Sequence, residues 1–316
     1  MRRVLRTAGV GLGLCMAASG VAAAPADIPL PGKAVFPESL SIGADGRFYV
    51  GSINGGVLRI ETNGKTRQWI APGAYGTRSI FGVLADPAHG LLWVCSNDIS
   101  AMGVAGPGKQ SGSWLKGFDL KTGRGRVSAR LPGEATLCND MAVAKDGTVY
   151  VANTSAPQIL RLSPGGSTLD VWLTDPRFQP GKGGGLDGIA FGGDGNLYVT
   201  TFVPGEMFRI GVKDGRAGAV TKLETSRPLQ QADALRPIAG NSFALVEGAG
   251  RIDRVTIEGD KALIEPLRSG LAGPTGVDVR DGVAWFVQGQ LSYVFDPAKR
   301  GQTPELPFRI LAVPVK

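Results

Sequence analysis

DGIAFGGDGNLYVTTF (187–202) consists of two short apolar-alternating runs joined by a Gly- and Asp-rich turn, and the second run carries an aromatic, Tyr198. Alternation at period two reads as strand rather than helix. Asp-Gly suits a tight hairpin because both residues tolerate positive φ. The pattern recurs in ESLSIGADGRFYV (38–50) and NDMAVAKDGTVYVANT (139–154). In each copy the opening polar residue and the aromatic lie eleven positions apart: Glu38 and Tyr49, Asn139 and Tyr150, Asp187 and Tyr198. Phe81 to Trp93 spans twelve, with an extra residue in the DPAHG turn, and Thr275 to Trp285 spans ten. Asp233 opens a degenerate copy, DALRPIAGNSFALVEG. Aromatic markers therefore fall at 49, 93, 150, 198, about 244 and 285, the spacing of propeller blades rather than helical solenoids.

The rest of the chain agrees. Its 316 residues include 48 Gly and 21 Pro, and no stretch beyond the N-terminus keeps apolar residues at helical spacing for three turns. The expected fold is all-β: a single-domain, six-bladed β-propeller of four-stranded antiparallel blades over residues 25–316. Third strands are expected at 57–61, 159–163, 207–211 and 291–295, and outer strands at 66–70 and 169–173. FRILAVPV (308–315) is expected to supply the closing outer strand, with the segment near 28–36 as the alternative.

Arg2, Arg3 and Arg6 precede an uncharged run ending in Ala22-Ala23-Ala24. This pattern predicts a signal peptide over 1–24, with cleavage at Ala26 as the alternative, and hence a periplasmic or secreted protein. The run is short and Gly/Ala-rich for a membrane span. Its loss lowers the formal charge from +7 to +4, a mild excess that does not point to nucleic acid. Two cysteines stay in the mature chain, Cys95 and Cys138. A disulfide and a pair of buried thiols both remain open, because pairing depends on how closely the backbones approach.

Composition also narrows the chemistry. The only histidine, His89, sits in the DPAHG turn and reads as a solvated turn residue. Ser–His–Asp catalysis and a His-rich zinc site are thereby removed. Carboxylates, amides and a hard metal are left, and oxygen ligands suit Ca²⁺ or Mg²⁺. Asp45, Asp146 and Asp194 lie in hairpin turns, and turn chemistry accounts for them. Glu38, Asn139 and Asp187 instead precede the first strand of their blades, a position that ring closure brings to the central tunnel. Asp233 holds the same place in the fifth blade. Without a cation, carboxyls crowded there repel one another and raise their pKa values.

Through FPESL, CNDM and LDGI, the chain resembles the senescence-marker-protein/gluconolactonase/luciferin-regenerating-enzyme family of six-bladed propellers, most strongly over 139–202. The resemblance implies one divalent cation in the tunnel, held by Glu38, Asn139 and Asp187. Ca²⁺ is the first expectation, and Mg²⁺, Mn²⁺ or Zn²⁺ are alternatives. It further implies hydrolysis of a small lactone or related ester by a monomeric enzyme, with Asp187 or Asp233 taking a proton from the attacking water. One departure stands out. In the blade-2 slot where the family's lactonases carry an Asn, with an Arg close before it, this chain has RSIFGV. Phe81 occupies the slot, and Arg78 is the candidate second substrate contact. An apolar ring here implies a less polar substrate or a lost activity. The alternative function is therefore a non-catalytic propeller that binds a partner, with a structural ion or none. A strictosidine-synthase-like condensing enzyme would need a later glutamate, for which Glu247 is the candidate.

Overall fold

The computed structural model describes residues 25–180 and 183–316, so the expected signal peptide lies outside the described residues. The repeats form six sheets. Their inner strands are Pro37–Ile42, Ser79–Asp86, Cys138–Val143, Leu186–Phe191, Ala232–Ala239 and Pro274–Arg280. Each inner strand contacts those of the preceding and following blades, and the sixth returns to the first. The molecule is thus the expected six-bladed β-propeller, built from antiparallel blades.

Period-two alternation works here because the second strands are buried on both faces. Phe48–Ser52 and Val149–Asn153 are buried throughout. Val149 and Val151 pack towards Trp93 and Cys95 of blade 2, whereas Tyr150 and Ala152 pack towards Ile189 and Leu197 of blade 4. The apolar core accordingly divides into six clusters, one at each interface between adjacent blades. Outer strands such as Asp170–Thr174 face solvent and lose the pattern. Asp45, Asp146 and Asp194 do cap their turns: each accepts the backbone N–H two residues on, at 3.1, 2.9 and 3.0 Å.

The structure corrects two expectations. Residues 291–295 are not a strand but a short helix, Ser292–Phe295, within a long excursion. The third strand of blade 6 is Arg309–Pro314, and the closing outer strand is Ile28–Pro29 from the N-terminal side. Closure joins the two ends of the chain because the helical excursion delays the third strand. Blade 5 is degenerate in a specific way. Ala244 holds the aromatic position, facing blade 6, while Phe243 faces blade 4. This blade also gains a fifth strand, Glu224–Thr225, parallel to Lys261–Ser269.

Every inner strand breaks register with its neighbour near its start. In each blade two residues oppose one: 38–39, 81–82, 139–140, 187–188, 233–234 and 275–276. Such bulges bend a strand and re-aim its side chains. Adjacent bulges approach closely, which requires small residues at the second position. A Cβ on Gly188 would sit 2.4 Å from the Asp233 carbonyl oxygen, and one on Gly82 would sit 2.3 Å from that of Asn139. Gly188→Ala is expected to destabilise the fold by about 1–3 kcal/mol through overpacking, read from urea denaturation against Gly211→Ala. Neither glycine has positive φ, and a Cβ on Gly211 would meet its nearest neighbour at an ordinary 3.7 Å.

Candidate functional site

Glu38, Phe81, Asn139, Asp187, Asp233 and Thr275, the first bulge residues of the six blades, all line one cavity of about 620 Å³. The bulges therefore deliver one side chain per blade to a common floor. The freed backbone carbonyls are held by the neighbouring blade. Thr154 Oγ1 donates to Leu186 O at 2.5 Å, Thr200 Oγ1 to Asp233 O at 3.3 Å and Thr275 Oγ1 to Pro37 O at 3.0 Å. Ser39 Oγ donates to Phe81 O. Asn97 brackets Cys138 from both sides, with Nδ2 to the carbonyl at 2.7 Å and Oδ1 accepting its N–H at 2.9 Å. Cys138 also forms a disulfide with Cys95, so the residue preceding Asn139 is cross-linked to blade 2.

Below the floor lies a narrower space that also reaches Asp140 and Arg236. These two form a buried bidentate ion pair, with Nη1–Oδ2 at 2.6 Å and Nη2–Oδ1 at 2.8 Å. The sequence reading missed both. Asp140 follows Asn139 directly, and strict alternation would turn only one of them to the axis; the bulge turns both. Arg236 carried no repeat signal.

Glu38, Asp140, Asp187 and Asp233 thus gather around one guanidinium, leaving an excess of negative charge wherever they ionise. Burial first, then the charges of Asp233 and Asp140, hold the Glu38 carboxyl well above its ordinary range. Burial, then Asp233, Glu38 and Asp140, do the same to Asp187. Burial pushes Asp233 up to about 8, even though a hydrogen bond with Asp187 opposes the rise. Asp233 is only half-buried and keeps contact with the cavity, whereas Glu38 and Asp187 are nearly sealed.

The donor set fits a hard divalent cation. Its oxygens come from two acids and an amide, and Asp187 Oδ1 is buried without any hydrogen-bond partner. Among the described residues no three His, Cys, Asp or Glu side chains are placed to hold a metal alone. A bound ion would therefore draw on the Asn139 amide together with carboxylates.

Other candidates fall elsewhere. Arg78 does not line the cavity; its Nη2 lies 3.2 Å from Asp98 and donates to Ala105 O. Glu247 is sealed beside the cavity rather than in it, paired with Arg227 at 2.6 Å and Arg251 at 3.1 Å. Burial alone would push its carboxyl up, but hydrogen bonds involving Asp253, Arg251, Gln230 N–H and Arg227 bring it down to about 2. His89 is exposed in its turn and pairs with Asp86 at 2.9 Å. Gly183 of the glycine-rich loop reaches the cavity; residues 181 and 182 lie outside the described residues.

Fold and floor together define a six-bladed propeller with an acidic axial site. Residues 24–60 match the family described as Strictosidine synthase-like, N-terminal. No curated protein matches the chain at a significant level of sequence similarity. Among solved structures it is similar to the major Malassezia sympodialis allergen Mala s 1 (TM-score 0.70, 17% identity, 92% of this chain and 96% of that one). It is also similar to a gluconolactonase from Xanthomonas campestris (TM-score 0.61, 15% identity, 93% and 99%). A third similar structure is a catalytically inactive virginiamycin B lyase from Staphylococcus aureus with quinupristin (TM-score 0.62, 18% identity, 91% and 83%). At these identities the likeness is one of fold.

The raised carboxyls tie stability to pH. Folded Asp233 titrates at about 8 and an unfolded Asp near 4, so the folded state binds the extra proton between those values. The contribution of Asp233 to stability is then full below about 4 and is lost as pH rises towards about 8. For protein stripped with EDTA, the melting temperature should fall across that window, and Asp233→Asn should flatten the fall. Added Ca²⁺ should restore stability most at the upper end.

Proposed function

We propose that the protein is an exported hydrolase of lactones or related esters that works with one divalent cation, Ca²⁺ foremost, at the cavity floor. The observation that carries this reading is the convergence of Glu38, Asn139, Asp187 and Asp233 on one cavity, with the Asp187 Oδ1 atom left unpartnered. Glu38, Asn139 and Asp187 would hold the cation. It would supply Lewis acidity towards a carbonyl oxygen.

The protein's own groups supply the rest. Asp233 faces the cavity, and burial pushes its carboxyl up to about 8, so that once ionised it suits a general base. As a carboxylate it accepts a proton from water; the water oxygen bonds to the ester carbonyl carbon, and the carbon–oxygen bond of the leaving alkoxide breaks. The alkoxide takes that proton back from Asp233, which gives a single hydroxy acid from a lactone, or the alcohol and the acid from an open-chain ester. Arg236, locked to Asp140, stays charged beneath the acids and limits their mutual repulsion. Asn139 is steadied by the Cys95–Cys138 cross-link next to it. A disulfide of this kind suits an oxidising compartment and so supports export. No helix among the described residues is long and apolar enough to cross a membrane.

Metal analysis of the purified protein is expected to find one divalent ion per chain. Glu38→Ala should lose the ion together with most of the EDTA-sensitive thermal stability. Asp233→Asn should keep the ion and lose at least about a hundredfold in kcat, the scale of general-base loss. Protein that binds no metal and melts identically with and without EDTA would favour the non-catalytic propeller instead.

A further inference from the structure

Above the acidic floor the cavity is mainly apolar, with Thr154, Gln231, Ser292 and Asp296 as its polar members. Met102, Leu137, Phe202, Leu291 and Phe295 line it, above the Phe81 ring of the floor. Three of these come from two excursions on the same side of the ring. In blade 2, residues 98–112 separate the second and third strands, and in blade 6 residues 289–308 do so. The corresponding connections in blades 1 and 3 are tight, 53–56 and 154–157.

The two excursions fold as one unit. Ile99 and Val104 of the first are buried, and Leu291, Val294 and Phe295 of the second pack into the same cluster. Gly103 lies against the Arg300 guanidinium so closely that a Cβ there would come within 2.8 Å of it. The longer excursion is fastened at its base by Gln290, whose Nε2 donates to Glu305 O at 2.8 Å and whose Oε1 accepts Glu305 N–H at 2.9 Å. Leu291 and Phe295 are one helical turn apart, joined by Phe295 N–H to Leu291 O at 2.9 Å. They therefore present the same helix face, and both reach the cavity.

We infer that this wall selects a lactone or ester bearing an apolar alkyl or aryl substituent rather than a polyhydroxylated sugar lactone. This rests on the hydrolase reading of the same cavity. A sugar lactone brings several hydroxyls, and each loses water on binding unless a polar partner replaces it. Above the floor, an apolar wall offers few such partners. An alkyl chain against Phe81, Leu291 and Phe295 needs none and leaves water on entering. Met102 is largely exposed at the rim, and its unbranched side chain can conform to chains of different length.

The test uses a matched pair of non-hydrolysable ligands, a δ-lactam carrying a hexyl chain and a polyhydroxylated δ-lactam, measured by calorimetry with Ca²⁺ present. The corresponding lactones are assayed for turnover in parallel. The hexyl lactam should bind at least about tenfold more tightly, and Phe295→Ala and Leu291→Ala should each weaken it by about tenfold while leaving the circular dichroism unchanged. Preference for the hexyl lactam without turnover of any lactone would remove the hydrolase reading and keep the apolar selectivity. Equal or tighter binding of the polyhydroxylated lactam would overturn the inference, as would failure of both to bind or indifference to the two substitutions.

Discussion

Six inner strands can surround one axis only if neighbouring backbones come almost into contact. The bulge at the start of every inner strand makes this possible. It gives up ladder pairing at two positions, the first of which faces the cavity while the second must be small enough for the next blade to approach. Gly82, Gly188 and Gly276 meet the second requirement. Side-chain donors from adjacent blades hold carbonyls at or just before five of these bulges. Site and fold therefore share one cause: the strain relief that closes the ring also aims the acids inward.

Asp140 is the exception among the second bulge positions, and it shapes the electrostatics. A carboxyl in that crowded layer is tolerable because Arg236 meets it with both terminal nitrogens. Their mutual neutralisation leaves Glu38, Asp187 and Asp233 as the uncompensated charges above. Burial and mutual repulsion can then be relieved by protons or by a cation. At neutral pH these alternatives compete, which is why a cation and a raised carboxyl pKa are two faces of the same arrangement.

Much of this was legible in the sequence. Glu38, Asn139, Asp187, Asp233 and Phe81 stand out because each opens a blade repeat; an aromatic follows eleven residues on in blades 1, 3 and 4 and twelve in blade 2, whereas blade 5 has Ala244 at that place. Asp140 was hidden by the bulge, which breaks the period-two rule at the place where the chemistry lies. Arg236 was hidden because its role is a long-range pairing across the ring. Arg78 stood near the motif in sequence, yet Asp98 and the Ala105 carbonyl hold it away from the cavity. Residues 291–295 alternate well enough to read as a strand, but they form a helix whose apolar face covers the site, so local pattern gave way to tertiary packing. The closing strand comes from the alternative segment near 28–36 for the same reason, since the excursion displaces the C-terminal strand to third place.

Anomalous diffraction from crystals grown with Mn²⁺ at neutral pH distinguishes a cation site at the axial carboxyls from a cluster of shared protons. The proposed site predicts a single strong peak among the Glu38, Asn139 and Asp187 side-chain oxygens. An empty tunnel, with manganese only on surface carboxylates, would contradict it.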